Sequence, residues 1–122
     1  HPVHAYHLVK DEMEKETREL FMVILQDTKG CVICQEIISV GTLSRTLVHP
    51  REVFYPAIRN NAASLILVHN HPSGDPTPSP EDCEVTQNLI AVSKTMKIPI
   101  YDHIIVGSCG YISLRQQGVD FS

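Results

Sequence analysis

Apolar positions recur along this chain at two spacings. Over residues 3–17, Val3, Tyr6, His7 or Leu8, and Met13 return at helical intervals with charged residues between them, which predicts a helix. At Glu19 the pattern changes to "LFMVILQD", a strand closed by the turn "DTKG". The segment "CVICQEIISVGT" is rich in β-branched residues and predicts its hairpin partner. Pro50 opens a second helix in "PREVFYPAIRNNA", at the first helical position, where its missing N–H costs nothing. Pro56 lies inside that helix and should kink or shorten it. "SLILVHNH" is a continuous apolar run, the mark of a strand covered on both faces. A long helix follows in "SPEDCEVTQNLIAVSKTMKI", then two strands around a glycine-containing turn in "PIYDHIIVGSCGYISL". The order α-β-β-α-β-α-β-β predicts an α/β domain with helices on both sides of a mixed sheet.

Composition narrows the picture. At 122 residues, with 43% hydrophobic and 20% charged residues, the chain reads as one domain over residues 1–122 with a single core. No 18-residue apolar stretch indicates a membrane span, and the polar N-terminus lacks a secretory apolar region. Without an initiator methionine, the sequence reads as a piece of a longer chain. The net charge is −4, and the 10 Lys and Arg are scattered, densest around Arg45 and Arg51. Nucleic-acid binding relies on clustered cations that release counterions, so strong binding by this domain alone is not expected.

Cysteines stand at 31, 34, 83 and 109. Cys31 and Cys34 form a C-x-x-C, which raises a zinc-ribbon or redox reading. Residues three apart on a strand point to opposite faces, and no second C-x-x-C completes a four-sulfur site. Buried structural cysteines in a reducing cytoplasm are the expectation.

The chemistry concentrates in "LILVHNHPSGDPTPSPED". His69 and His71 are two apart on a strand, so both leave the same face, with Cα atoms roughly 6.6 Å apart. They can close on one metal ion, or simply mark the end of a strand. Ser79-Pro80-Glu81-Asp82 is a helix start, in which Ser79 caps and Asp82 answers the helix dipole. The short proline loop also returns the chain to the strand end, where Asp82 can be a third ligand. Three protein ligands with an open fourth position is the catalytic zinc arrangement. Glu19, at the mouth of an apolar strand, is a candidate base or a solvated strand end; Glu36, Glu52, Glu81 and Glu84 compete with it. His103 in "YDHIIVG" reads as a strand histidine with a structural hydrogen bond and stays outside the ligand set. The contiguous letters "HNH" do not make a nuclease motif, whose residues are dispersed, and a zinc deaminase needs H-x-E and P-C-x-x-C.

The spacing H-x-H-x7-S-x2-D, filled by His69, His71, Ser79 and Asp82, resembles the JAMM motif of MPN-type metalloproteases. "GTL", "HPREVF", "NAASLILVHNHPSGDPTPSPED" and "DHIIVG" resemble the RadC branch of that superfamily, and the likeness spans Glu19 to Gly118. Asn70 departs from the Ser or Thr of many eukaryotic relatives and agrees with RadC proteins. The resemblance implies a three-layer α/β/α fold like that of cytidine deaminases. It implies zinc held by His69, His71 and Asp82, with Glu19 as general base and Ser79 as oxyanion donor. The activity implied is hydrolysis of a peptide or isopeptide bond in a peptide or protein substrate. A non-catalytic binding or regulatory module of a DNA-repair-associated protein is the alternative.

Overall fold

Pro2 starts the first helix of this computed structural model, which describes residues 1–44, 47–108 and 110–122. The helix (α1, Pro2–Lys15) is capped by the His1 side chain, which accepts from the Val3 N–H at 3.2 Å. Its buried stripe is Ala5, Tyr6, Val9 and Met13. Leu8, one of the residues read as inward from spacing, is 47% exposed. The remaining elements follow the predicted order: β1 (Leu20–Gln26), β2 (Val32–Val40), α2 (Pro50–Arg59), β3 (Ser64–Asn70), α3 (Pro80–Met96), β4 (Ile100–Val106) and β5 (Tyr111–Ser113). Helix α2 ends three residues after Pro56, short of the Ala62 limit of the apolar pattern.

The strands form one mixed sheet in the order β2-β1-β3-β4-β5, with β3 and β4 parallel and the other neighbours antiparallel. The parallel pair requires a long crossover, and α3 supplies it. Helix α1 covers one face, packing on Met22, Ile24, Val68, Ile104 and Val106. Helices α2 and α3 cover the other through Val53, Phe54, Ala57, Val85 and Leu89, against Phe21, Val23, Leu25, Leu65 and Leu67. The result is the predicted three-layer α/β/α arrangement. Central β1 and β3 are buried along almost their whole length, whereas β2, paired only with β1, leaves Val32, Ile33, Ile37 and Val40 exposed. No helix among the described residues is long and apolar enough to cross a membrane.

The expectation for the cysteines fails. Cys31 lies exposed beside the β1–β2 turn, and Cys34 and Cys83 are only half-buried; all three are free thiols. Edge strand β2 has no layer to bury Cys31 and Cys34 fully, and Cys83 lies on the first turn of α3, partly open to solvent. Cys109 and Arg45 lie outside the described residues.

Topology decides where the chemistry collects. Because β1 runs antiparallel to β3, the start of β1 meets the end of β3, and Phe21 pairs with His69. The end of parallel β4 lies at the same level, with Asn70 opposite Val106. Candidate residues far apart in sequence therefore gather at one end of the sheet, outside the carboxyl ends of β3 and β4, where open α/β sheets commonly bind ligands.

Candidate metal centre

His69 is the penultimate residue of β3, and His71 lies just past the final one. The extended path continues through the His71 N–H, which donates to the Val106 carbonyl at 2.9 Å. Both side chains therefore stay on one side, and their rings meet edge to face with centroids 4.7 Å apart. The His71 Nδ1 lies 2.9 Å from the Asp75 carbonyl oxygen, to which it donates, so the opposite nitrogen is aimed inward. The loop that holds this carbonyl is tied down by the Ser108 N–H, which donates to the Gly74 carbonyl at 3.1 Å.

Asp82 faces both rings. Its Oδ1 is 3.5 Å from His69 Nε2 and its Oδ2 is 3.0 Å from His71 Nε2. Asp82 is also the third residue of α3 in a complete capping box. Ser79 Oγ accepts from the Asp82 N–H at 3.1 Å, and Asp82 Oδ2 accepts from the Ser79 N–H at 2.8 Å. The capping and ligand readings of these two residues are thus compatible. Oδ2 carries the cap, Oδ1 remains turned toward His69, and the Ser79 hydroxyl proton is free to donate elsewhere.

Glu19 precedes β1. Its carbonyl accepts from the Gly41 N–H at 2.8 Å and its Oε2 from the Leu43 N–H at 3.2 Å, while Oε1 lies 4.0 Å from His69 Nε2. One ligand atom each from Glu19, His69 and His71 falls within 4.8 Å of the others. The competing acids do not enter that group. Glu36 pairs with Arg59 at 3.7 Å and Glu52 with Arg51 at 4.0 Å, while Glu81 and Glu84 are exposed on α3.

Electrostatics separate the histidines. Burial pushes the His69 pKa down to about 4, and the nearby His71 adds to this against the pull of Asp82. His71 is raised, chiefly by its hydrogen bond to Asp82. Burial works to raise Asp82, but the bond from His71, the charge of His69 and the Ser79 N–H outweigh it and hold the carboxyl at about 2. The site at neutral pH therefore contains a neutral His69 beside a carboxylate that is already charged.

The donor set suits a metal. His69 is fully buried, yet neither ring nitrogen has a hydrogen-bond partner, an arrangement that normally costs about 1–3 kcal/mol. Its Nε2 lies between two carboxylates. Four-coordinate zinc with bonds of 2.0–2.1 Å sets neighbouring ligand atoms about 3.3 Å apart. His69 Nε2 is 3.5 Å from Asp82 Oδ1 and 4.0 Å from Glu19 Oε1, while His71 Nε2 meets the other Asp82 oxygen at 3.0 Å; the group whose single ligand atoms close within 4.8 Å is Glu19, His69 and His71, with Asp82 beside it.

His103 takes the structural role expected of it. It is fully buried, with Nδ1 2.6 Å from Thr86 Oγ1, and Thr86 in turn donates to the Asp82 carbonyl at 2.7 Å. Burial, then the neighbouring His69, lowers its pKa to about 3, so the ring is neutral. The Asp75 carbonyl and the Leu43 amide had no legible signal, since both are main-chain groups on loops.

Three relatives share this chain's sequence closely. UPF0758 protein pc1765 of Protochlamydia amoebophila is 60% identical over 119 residues, covering 98% of this chain and 52% of the relative. A UPF0758 protein of Syntrophomonas wolfei is 52% identical over 112 residues, 92% of this chain and 48% of the relative. One from Methanosarcina mazei is 44% identical over 117 residues, 96% and 51% respectively. The chain thus spans about half the length of the curated relatives it matches. Its residues 1–119 match the profile described as the RadC-like JAB domain. With that match over nearly its whole length and the JAMM-type residues at one end of a mixed α/β/α sheet, the chain belongs to the RadC-like JAB domain family.

Proposed function

We propose that this domain is a zinc-dependent metallohydrolase that uses water to cleave a peptide or isopeptide bond. His69, His71 and Asp82 hold the metal, Glu19 is the general base and acid, and Ser79 is the oxyanion donor. The observation that carries this reading is the buried, unpartnered His69 Nε2 set 3.5 Å from Asp82 and 4.0 Å from Glu19. The two acids divide by distance and exposure. The Asp82 side chain is 3% exposed and at ligand spacing, while that of Glu19 is 25% exposed and stands further off.

Zinc supplies Lewis acidity when bound, lowering the pKa of water from about 15.7 to about 7. Glu19 accepts the proton of the attacking water and delivers it to the departing nitrogen, with Leu43 fixing one carboxylate oxygen and leaving the other toward the histidines. The Ser79 hydroxyl, whose oxygen already accepts from Asp82, donates its proton to the oxyanion; a donor of that kind is worth roughly 3 kcal/mol. Beside Glu19 and His71 lies an open cleft of about 560 Å³, also lined by Thr17, Arg18, Thr42 and Ser73, which can receive an extended peptide. The domain by itself has no strong affinity for nucleic acid in this reading.

Metal analysis of the purified protein should find close to one zinc per chain, lost in His71→Ala. Glu19→Gln should retain the metal and lose cleavage of a peptide library. Zinc content unchanged in His71→Ala contradicts the ligand assignment. A cellular phenotype that survives Glu19→Gln favours a binding role instead.

A further inference from the structure

Asn70 stands between the two histidines, and it is 1% exposed. Alternation along β3 turns its side chain away from theirs. The last registered pair of the β1–β3 ladder at this end is Phe21 with His69. Beyond it, the Asn70 amide acts as a peptide group would. Its Oδ1 accepts from the Leu20 N–H at 2.6 Å, and its Nδ2 donates to the Arg18 carbonyl at 2.9 Å. These two main-chain groups flank Glu19 on either side.

We propose that Asn70 is the positioning residue for the general base: its side chain fixes the main chain around Glu19 to the same three-residue segment that carries both histidine ligands. This inference rests on the hydrolase reading and adds a device to it. The main chain of residues 69–71 sets the two rings, and the side chain of residue 70 sets the acid, so base and ligands share one rigid reference. The two hydrogen bonds hold the peptide groups on both sides of Glu19 from the β3 side of the sheet. A displacement near 1 Å at a catalytic group is enough to cost roughly 100-fold in rate. The Gly41 and Leu43 amides hold Glu19 from the opposite side but carry no ligand.

The test uses cobalt(II) in the purified protein, read by visible absorption against pH, in wild type, Glu19→Gln, Asn70→Ala and the double variant. Glu19→Gln should move the midpoint of the pH-dependent absorption change. Asn70→Ala should move it in the same direction by at least about half as much, and the double variant should match Glu19→Gln alone, the signature of residues acting as a unit. Cobalt affinity in Asn70→Ala should stay within about threefold of wild type, below the roughly 10–100-fold loss that follows removal of a group bonded to a ligand. Should Asn70→Ala not fold, Asn70→Asp retains the acceptor for Leu20 but cannot donate to Arg18, and should show part of the same displacement. A wild-type midpoint in the folded Asn70 variant, or shifts that add in the double variant, would show a merely structural residue and overturn the inference alone. No cobalt binding by wild type, or no effect of Glu19→Gln, overturns the hydrolase reading and this inference with it.

Discussion

Gly107→Ala is the perturbation whose consequence follows most directly from the coordinates. A Cβ at residue 107 would lie 2.4 Å from the Gly74 carbonyl oxygen and 2.8 Å from Pro76 Cδ. Ordinary contact begins at 3.4 Å, so the 72–78 loop must retreat from the end of β4 by about 1.0 Å. That movement carries the Gly74 carbonyl beyond reach of the Ser108 N–H, now 3.1 Å away, and drags the adjacent Asp75 carbonyl that orients His71. One lost hydrogen bond costs about 1 kcal/mol and the overpacking about 1–3 more, so roughly 3 kcal/mol in all is expected. For a chain of this size the melting temperature should fall by about 12 °C. Zinc affinity should drop roughly 10–100-fold, because the group displaced is bonded to a ligand. Gly110→Ala is the control. Its Cβ meets nothing within 4 Å, and the change should stay within about 0.5 kcal/mol. Thermal unfolding with and without zinc, together with chelator competition, reads both quantities. If Gly107→Ala and Gly110→Ala behave alike in both assays, the loop does not act through this contact.

Stability of the metal-free protein should fall as pH drops from 6.5 toward 4. His69, held at about 4, and His103, at about 3, refuse protons that the unfolded chain accepts at 6.5, and His69 alone accounts for roughly 3 kcal/mol. His71, raised, adds stability below 6.5 that is lost as pH rises through its folded value, but its partial exposure discounts that opposing effect. Asp82, depressed to about 2, contributes stability above 3.8 and loses it only as pH falls toward 2. Urea midpoints equal at pH 7 and pH 4.5 would contradict this balance. Asp82→Asn and Asp82→Ala should both lose zinc, while only the alanine removes the acceptor for the Ser79 N–H, costing about 1 kcal/mol more in urea unfolding. Cys31, exposed and free, should be alkylated readily with zinc content unchanged, as measured by mass spectrometry and metal analysis.

The sequence disclosed the order of the elements because their patterns are local. The "LFMVIL" and "SLILV" runs have no polar face and so must be central strands. Pro50 and Ser79-Pro80 mark helix starts by their own chemistry. The motif residues were legible through the His69-x-His71 spacing and the return of the chain at Asp82. What escaped were features set by distant partners. Spacing offered Leu8 for burial as readily as its neighbours, but the sheet beneath α1 selects Ala5, Tyr6, Val9 and Met13. Burial of the cysteines was misjudged because nothing local in "CVICQEIISV" says that this strand lies at an edge. The role of Asn70 depends on main-chain groups 50 and 52 residues away, and no periodicity announces such a contact.

The central claim is that two imidazoles and one carboxylate bind a single metal. An anomalous-difference map collected across the zinc edge from crystals of the zinc-loaded protein tests it most directly. One peak bounded by His69 Nε2, His71 Nε2 and Asp82, with Glu19 beyond bonding distance, is the predicted result. A peak that Asp82 does not reach, or none at the end of β3, would contradict it.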